Sequence, residues 1–246
     1  MNNMNKQAGI MLSEIPFSNI PVIFKNSGLD FFILDCEHGS FDYSDISKIV
    51  TTAKLCGIKI IIRLPDNTRR DIIRFMDMGA TGLLLPMTNT AEDIKQVVKY
   101  AKYQPIGERG ISTMRAHTLY NPPKVMDYMP TANAYTEVYA QIETIKGVEN
   151  IAEILAVEGV HGCLIGPNDL SADYGCLTNS SAPEILNAIQ KVGLECKKQG
   201  KVGGIITANK TYIDCATQNG LQMISKGSEL NAISSYCKNI AKEIKE

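Results

Sequence analysis

The sequence predicts an α/β protein that folds as a single (β/α)8 barrel, in which eight parallel strands are each followed by a helix. Eight short apolar runs alternate with segments of helical spacing along the 246 residues, a length typical of this fold. The runs are continuously apolar, as in strands that are covered on both faces. An open doubly wound sheet would show the same alternation, but no glycine-rich dinucleotide-binding loop follows the first run.

The predicted strands are rich in Ile, Leu and Val. They are Gln7–Leu12, Phe31–Asp35, Lys59–Arg63, Gly82–Pro86, Glu137–Ile142, Gly162–Ile165, Val202–Ile206 and Leu221–Ser225. Several of the helical segments between them end before a glycine, a residue that commonly terminates a helix in the left-handed conformation. The predicted helices are Asp42–Cys56, Thr68–Met78, Thr90–Tyr103, Ile145–Val157 and Ala182–Gln199.

One stretch between the fourth and fifth strands shows no clear period. Tyr103–Thr136 contains four prolines and two glycines, so we expect an irregular loop there. A long loop in a compact domain is commonly functional, and this one is a candidate active-site or subunit-contact loop. Nothing marks a domain boundary, and residues 1–246 are expected to form one domain.

Charge and cysteine usage exclude several classes of function. The chain carries 25 Lys and Arg against 26 Asp and Glu, a net charge of −1, which offers no electrostatic surface for nucleic acid or an anionic membrane. No apolar run approaches the roughly 20 residues that span a bilayer, and the first residues lack the order of a secretory signal. Seven cysteines without a C-x-x-C pair indicate reduced thiols, so we expect a cytoplasmic protein.

Two carboxylates follow neighbouring predicted strands and are the most informative pair in the chain. Glu143 closes the fifth strand, and Asp169 lies in the Gly-Pro turn that follows the sixth. Parallel α/β folds bind ligands at the carboxyl ends of their strands. Two acids brought together there repel each other unless a cation lies between them. Mg²⁺ suits such a site because it takes oxygen ligands and keeps positions open for water and substrate.

Other chemical side chains end strands at the same predicted rim. His38 follows the second strand, Arg63 ends the third, and Gln141 lies two residues before Glu143, so both side chains point to the same side. A single polar residue at a strand end is more often a solvated rim residue than a ligand. Four strands that supply a base, a cation, an amide and two acids to one face favour an active site.

These segments resemble the HpcH/HpaI family of class II, metal- and pyruvate-dependent aldolases, from Asp30 to about Leu230. The most specific motifs are Gln141-Ile142-Glu143-Thr144 and Ile165-Gly166-Pro167-Asn168-Asp169-Leu170-Ser171-Ala172, in this order and at this spacing. Weaker motifs are Asp35-Cys36-Glu37-His38-Gly39, Arg63-Leu64-Pro65, Met78-Gly79-Ala80 with Leu83-Leu84-Leu85-Pro86-Met87, and Pro105-Ile106-Gly107-Glu108-Arg109-Gly110.

The resemblance implies a (β/α)8 barrel that cleaves a 4-hydroxy-2-oxo acid reversibly to pyruvate and an aldehyde. By the same resemblance, Glu143 and Asp169 bind Mg²⁺, or Mn²⁺ or Co²⁺ in its place. Arg63 binds the keto or enolate oxygen, with Gln141, Gly166 and Pro167 beside it. His38 is the general base, and Asp77 pairs with it or with a nearby water. These residues lie within the motifs given above, except Asp77, which directly precedes Met78-Gly79-Ala80.

The resemblance also implies an oligomer. Members of the family exchange their last helix between subunits in hexamers that are trimers of dimers. Residues 231–246 are expected to form such a helix, because Ile233, Tyr236, Ile240 and Ile244 make one apolar stripe. The sequence leaves open that this helix instead folds back on its own barrel.

The chain departs from the family pattern at the last strand, where Lys226 introduces a cation that is expected to face the pocket. This leaves the aldehyde unidentified and makes Lys226 the one competitor for a Schiff-base mechanism. A citramalyl- or malyl-CoA-type lyase is an alternative, although such enzymes usually carry more chain for the CoA. A non-catalytic barrel used for binding or assembly is the contrasting hypothesis.

Overall fold

The computed structural model describes residues 6–246 and shows a closed barrel of eight parallel strands that pair in chain order, with the last strand returning to the first. The strands are β1 Gln7–Leu12, β2 Phe31–Asp35, β3 Lys59–Arg63, β4 Gly82–Leu85, β5 Glu137–Ile142, β6 Gly162–Ile165, β7 Val202–Ile206 and β8 Met223–Ser228. The predicted (β/α)8 class is confirmed. Within residues 6–246, no helix has the length and apolar character that crossing a bilayer would require.

Helices pack around this barrel. They are α1 Ile20–Asn26, α2 Tyr43–Cys56, α3 Arg69–Met78, α4 Ala91–Ala101, α5 Val125–Tyr135, α6 Ile145–Glu149, α7 Ile151–Ala156, α8 Pro167–Asp173, α9 Pro183–Gln199, α10 Lys210–Gln218 and α11 Glu229–Lys245. Capping residues fix several of their starts. Asp42 accepts from Asp45 N at the start of α2, and Thr90 forms a reciprocal capping box with Asp93 at the start of α4.

Each strand has two apolar faces, and the two faces pack into different cores. Alternate residues fill the barrel interior, where Phe31, Ile33, Ile61, Leu84, Tyr139, Leu164 and Met223 form one cluster. The residues between them, such as Phe32 and Leu34, face outward and pack with the helices in a second, larger cluster. Burial on both faces explains why the strands read as continuous apolar runs.

The segment between β4 and β5 is more ordered than the predicted irregular loop. It contains a short 3-10 turn at Ala116–Thr118 and the helix α5, which includes Pro130. Contacts from distant residues hold α5 in place. Lys102 Nζ donates to the carbonyl oxygens of Asn133 and Thr136, both at 2.6 Å, and the Asn133 side chain pairs with the backbone of Tyr103. These contacts leave no periodic signal in the local sequence.

Two other boundaries differ from the prediction. The expected helix over 145–157 is interrupted at Asn150, whose side chain donates to Asn89 O at 2.8 Å, and α6 and α7 result. The last strand begins at Met223 rather than Leu221, because Leu221 N donates to Ala216 O and so closes the end of α10. It continues to Ser228 through a bulge opposite β1, where Gly227 has a φ of 68°.

The C-terminal helix α11 is anchored to the barrel at its first residue and is exposed thereafter. Glu229 is buried, and its Oε1 accepts from the backbone N–H groups of Ser13, Glu14 and Ile15 at 3.0, 2.7 and 3.4 Å. Every residue from 230 to 246 is exposed, including the apolar stripe of Ile233, Tyr236, Ile240 and Ile244. Within one chain, the helix therefore does not fold back on its own barrel.

Replacing Glu229 with Ala should lower the free energy of unfolding by roughly 1–3 kcal/mol, because three partly buried backbone N–H donors lose a charged acceptor. Urea unfolding of both proteins measures this difference. The matched control is Glu243→Ala, which removes an exposed carboxylate from the same helix and should change stability by less than about 0.5 kcal/mol. Equal effects of the two substitutions would show that the contact with residues 13–15 contributes little.

Candidate active site

A cleft of about 210 Å³ opens at the carboxyl ends of the strands. It is lined by Met11, His38, Arg63, Gln141, Gly166, Asn168, Asp169 and Ile206. The closed barrel explains this convergence, because the carboxyl ends of all eight strands meet at one rim. A larger cavity of about 730 Å³ lies outside the barrel between α4 and α7, where surface Lys and Glu side chains line it and no strand end contributes.

A buried ion pair joins the ends of β2 and β3. Asp35 and Arg63 are register partners, and the guanidinium binds the carboxylate at two points, with Nε to Oδ1 at 3.0 Å and Nη2 to Oδ2 at 2.6 Å. The third guanidinium nitrogen, Nη1, lies 3.2 Å from Glu37 Oε2. Bidentate pairing fixes the plane of the guanidinium as well as its position.

The pKa values of Asp35 and Glu37 shift in opposite directions, because burial and the charge of Arg63 balance differently at the two carboxyls. Burial alone would raise the pKa of Asp35, but the hydrogen bonds and charge of Arg63 outweigh it and hold that pKa below its ordinary value. Burial raises the pKa of Glu37 above its ordinary value, and the charges of Arg63 and His38 only partly oppose it. Asp35 is therefore the fixed anionic partner of Arg63, whereas Glu37 takes up a proton more readily.

Glu143 is buried and held by donors on both carboxylate oxygens. Oε1 accepts from Met87 N at 2.6 Å, and Oε2 accepts from Gln141 Nε2 at 2.5 Å. Met87 adopts a left-handed φ of 49°, which is uncommon for a residue with a side chain and is typical of functional sites. A side chain at Gly166 would begin 2.7 Å from Glu143 Oε2, so the close approach of the turn between β6 and α8 to this carboxylate favours glycine.

The carboxylates of the cleft repel one another. Burial raises the pKa of Glu143 to about 7, the Met87 N–H opposes this, and the charges of Asp169 and Glu37 add to it. Asp169 lies in the first turn of α8, exposed at the mouth of the cleft. A positive ion between Glu143 and Asp169 would relieve this repulsion.

The residues present fit a hard divalent ion. Glu143 and Asp169 supply oxygen ligands, and the buried Gln141 Oε1 has no hydrogen-bond partner among residues 6–246, which suits an acceptor for a metal-bound water. No group of three or more His, Cys, Asp or Glu side chains converges as a metal site in the same residues. An ion held here would therefore take most of its ligands from water and substrate, as Mg²⁺ commonly does.

His38 stands at the mouth of the cleft with a 72% exposed side chain, and its Nε2 lies 3.7 Å from Glu37 Oε2. The structure thus brings together five of the predicted site residues: His38, Arg63, Gln141, Glu143 and Asp169. Gly166 joins them through the cleft wall and the close approach to Glu143, and the buried Pro167 opens α8 directly after it.

Asp77 is not brought to this cluster within the chain, and the expected pairing with His38 is not made there. Asp77 lies near the end of α3, which runs back along the barrel away from the carboxyl ends of the strands. Its carboxylate accepts from Arg109 Nη2 at 2.8 Å and lies 3.9 Å from His117 Nδ1. Lys226, expected to face the pocket, is exposed and is not among the residues that line the cleft.

Sequence reasoning did not assign roles to three groups that shape the site. Asp35 and Glu37 belong to one of the family motifs but have no assigned role in the sequence analysis, although they hold Arg63 from two sides. The register of adjacent strand ends could have identified Asp35 as the partner of Arg63. The Met87 backbone N–H is the third group, and no residue type in the sequence signals its role.

Comparisons with known proteins identify the family of this chain. The family model described as HpcH/HpaI aldolase/citrate lyase matches residues 19–235. A 5-keto-4-deoxy-D-glucarate aldolase from Klebsiella pneumoniae is 32% identical over 220 residues, which cover 89% of this chain and 85% of the relative. The family model and this relative define the chain as an aldolase-type carbon–carbon lyase. The chain belongs to the HpcH/HpaI family.

Solved structures show the same fold. An HpcH/HpaI aldolase from Desulfitobacterium hafniense superposes with a TM-score of 0.93 at 33% identity, covering 98% of this chain and 93% of the other. CitE from Mycobacterium tuberculosis, solved in complex with magnesium and pyruvate, superposes with a TM-score of 0.55 at 15% identity, covering 91% of this chain and 86% of that one. At that identity the likeness shows the fold alone.

Proposed function

We propose that the protein is a divalent-metal-dependent aldolase that cleaves a 4-hydroxy-2-oxo acid reversibly to pyruvate and an aldehyde. The observation that carries the proposal is the juxtaposition of Arg63, fixed by Asp35, with the carboxylates Glu143 and Asp169 in one cleft. Aldol cleavage develops negative charge on the oxygen of the 2-keto group, and a preorganised guanidinium stabilises such charge.

The relatives suggest which substrate to test first. In 5-keto-4-deoxy-D-glucarate, the keto group lies next to one terminal carboxyl, a methylene follows it, and a hydroxyl comes next. Numbered from that end, the compound is a 4-hydroxy-2-oxo acid. Cleavage between its third and fourth carbons would leave pyruvate and an aldehyde that carries the second carboxylate. We propose this compound, the substrate named for the 32% identical relative, as the first candidate.

Arg63 and His38 have different roles in the proposed reaction. Arg63 holds the keto oxygen through its guanidinium. Asp35 and Glu37 fix its orientation by engaging all three of its nitrogens, and Nη1 and Nη2 each keep a second N–H for the substrate. His38, exposed at the cleft mouth, accepts the proton of the 4-hydroxyl as the carbon–carbon bond breaks, and the bonding electrons pass to the pyruvate enolate. In the reverse direction, the same imidazole returns the proton to the new hydroxyl.

Neighbouring groups hold the carboxylate of Glu143 in place. Glu143 and Asp169 would hold Mg²⁺, or Mn²⁺ or Co²⁺, which would add Lewis-acid stabilisation of the developing enolate charge. Gln141 orients Glu143 and offers its free Oε1 to a bound water. A role for Asp77 in this chemistry requires a second chain, because within one chain its carboxylate is engaged by Arg109.

Removal of the metal tests this function directly. Pyruvate release from 5-keto-4-deoxy-D-glucarate, followed with lactate dehydrogenase and NADH, should stop with EDTA and return with added Mg²⁺ or Mn²⁺. Borohydride added with pyruvate should leave the protein mass unchanged, since no Schiff base forms. A covalent adduct on Lys226 together with EDTA-resistant activity would place the enzyme in the lysine-dependent class instead.

Substitution of Arg63 by Ala should slow pyruvate formation by an amount on the order of 2–4 kcal/mol in barrier, as for loss of one preorganised donor to an oxyanion. Metal affinity should change little, because Arg63 supplies no metal ligand. Arg63→Lys separates charge from geometry, since it keeps the cation but loses the bidentate bond to Asp35. Arg69→Ala, at an exposed residue that begins α3, is the control. Normal turnover of Arg63→Ala would exclude the assigned role.

We further propose that the protein is a cytoplasmic homo-oligomer, a hexamer built as a trimer of dimers, in which α11 packs on a neighbouring subunit. The stripe of Ile233, Tyr236, Ile240 and Ile244 is 38–79% exposed within one chain. Proteins that remain monomeric rarely expose a continuous apolar surface of this kind. All seven cysteines are free thiols, which supports a reducing compartment.

Deletion of the residues after Leu230 should lower the assembly state or solubility, since the stripe is removed while Glu229 is kept. Sedimentation velocity measures the number of chains in each particle. Lys238→Ala and Lys242→Ala together, at exposed positions on the same helix, are the matched control and should leave the assembly intact. A truncated chain with the same number of subunits would contradict the proposed exchange.

A further inference from the structure

The residues that line the cleft differ in depth. Arg63 and Gln141 are buried at its floor, with 8% and 2% of their surface exposed, whereas His38, Asn168 and Asp169 are exposed at its mouth. A substrate that places its keto oxygen on Arg63 and its 4-hydroxyl at His38 therefore runs from the floor to the mouth. Its fifth carbon, numbered from the carboxyl next to the keto group, meets the residues of the mouth.

Asn168 is the one hydrogen-bonding side chain of this lining that the proposed cleavage does not use. The two polar residues of the floor are bound to carboxylates, and His38 and Asp169 have proposed roles in proton transfer and metal binding. Across residues 6–246, the carboxamide of Asn168 makes no hydrogen bond. Its donor and its acceptor are therefore both available to a ligand in the cleft.

The backbone on both sides of Asn168 is anchored. Pro167 is buried at the first position of α8, and its carbonyl oxygen accepts from Ser171 Oγ at 2.6 Å. Leu170 is fully buried, and its N–H donates to Gly166 O at 3.2 Å. The position of the amide at the mouth is thus set by its neighbours, and only its side-chain torsions remain to adjust to a ligand. Such preorganisation lowers the cost of binding.

A hydroxyl is the group that this mouth fits. A carboxamide donates through its nitrogen and accepts through its oxygen, and a hydroxyl can pair with either. Met11 and Ile206, which are partly exposed in the wall of the cleft, offer only apolar surface, and within the described chain no lysine lines the cleft to bind an anionic group. In 5-keto-4-deoxy-D-glucarate, numbered from the keto acid end, the fifth carbon carries such a hydroxyl.

We propose that Asn168 is a specificity-determining residue whose carboxamide binds a hydroxyl on the fifth carbon of the substrate. The cleft then prefers 4,5-dihydroxy-2-oxo acids to 4-hydroxy-2-oxo acids that lack this hydroxyl. The inference rests on the proposed aldolase function. Because the fifth carbon takes no part in bond breaking, its hydrogen bond is equally strong in the bound substrate and in the transition state. It therefore lowers KM and does not raise kcat.

Two substrates that differ by a single hydroxyl test the preference. They are 4,5-dihydroxy-2-oxopentanoate, which releases pyruvate and glycolaldehyde, and 4-hydroxy-2-oxopentanoate, which releases pyruvate and acetaldehyde. Neither carries a second carboxylate, so the hydroxyl alone is compared. With saturating Mg²⁺, the wild type should show a KM for the dihydroxy acid that is lower by about three- to tenfold, as for one net hydrogen bond between neutral groups.

The substitution Asn168→Leu keeps the approximate size of the side chain but removes its donor and acceptor. It should raise KM for the dihydroxy acid by about three- to tenfold and so abolish the preference, with little effect on kcat for that acid. Asn168→Ala should have the same effect, which separates the lost hydrogen bond from the apolar bulk of leucine. The matched control is Asn187→Leu, at an exposed residue of α9 outside the cleft, and it should keep the wild-type preference.

The outcomes separate this inference from the aldolase function. Equal KM values for the two acids in the wild type, or a preference that both Asn168 variants retain, would overturn the inference and leave the aldolase function intact. A loss of kcat shared by both acids would assign the amide to the metal or to the reacting geometry and would also overturn it. Failure of the wild type to cleave either acid or 5-keto-4-deoxy-D-glucarate would contradict the proposed function, and this inference with it.

Discussion

The bidentate pair between Asp35 and Arg63 is the interaction on which the rest of the site depends. It forms because the ends of β2 and β3 are register partners in a closed parallel barrel. Burying a charge is costly unless it is paired and hydrogen-bonded, and here both side chains are buried while Arg63 is held by two carboxylates. The guanidinium therefore enters the cleft already oriented, which is what stabilising developing charge requires.

Acidic groups outnumber basic ones in the cleft, and this imbalance gives the site its chemistry. Glu37, Glu143 and Asp169 repel one another, and Arg63 offsets only part of that charge. The same groups would therefore attract a divalent cation and, under the proposed function, an anionic oxo acid with it.

Sequence patterns predicted the parts of this protein that depend on the order of residues over short stretches of the chain. The strands could be identified because burial on both faces makes them continuously apolar, and Glu143 and Asp169 could be placed because parallel strand ends meet at one rim. The helix α5 could not be identified, since Lys102 and Asn133 specify it through contacts between residues about 30 positions apart. Likewise, the N–H of Met87 that holds Glu143 depends on a backbone conformation that residue type does not indicate.

Contacts within one chain do not account for the stability of the C-terminal helix α11. Helices of this length are marginal in water without tertiary packing, and α11 has none beyond Glu229. Its capping box at Ser228 and Asn231 contributes only about 1 kcal/mol. An exposed apolar stripe on such a helix gains stability only by burial against another surface. The anchor at Glu229 fixes where the helix leaves the barrel, so it also fixes where that second surface must lie.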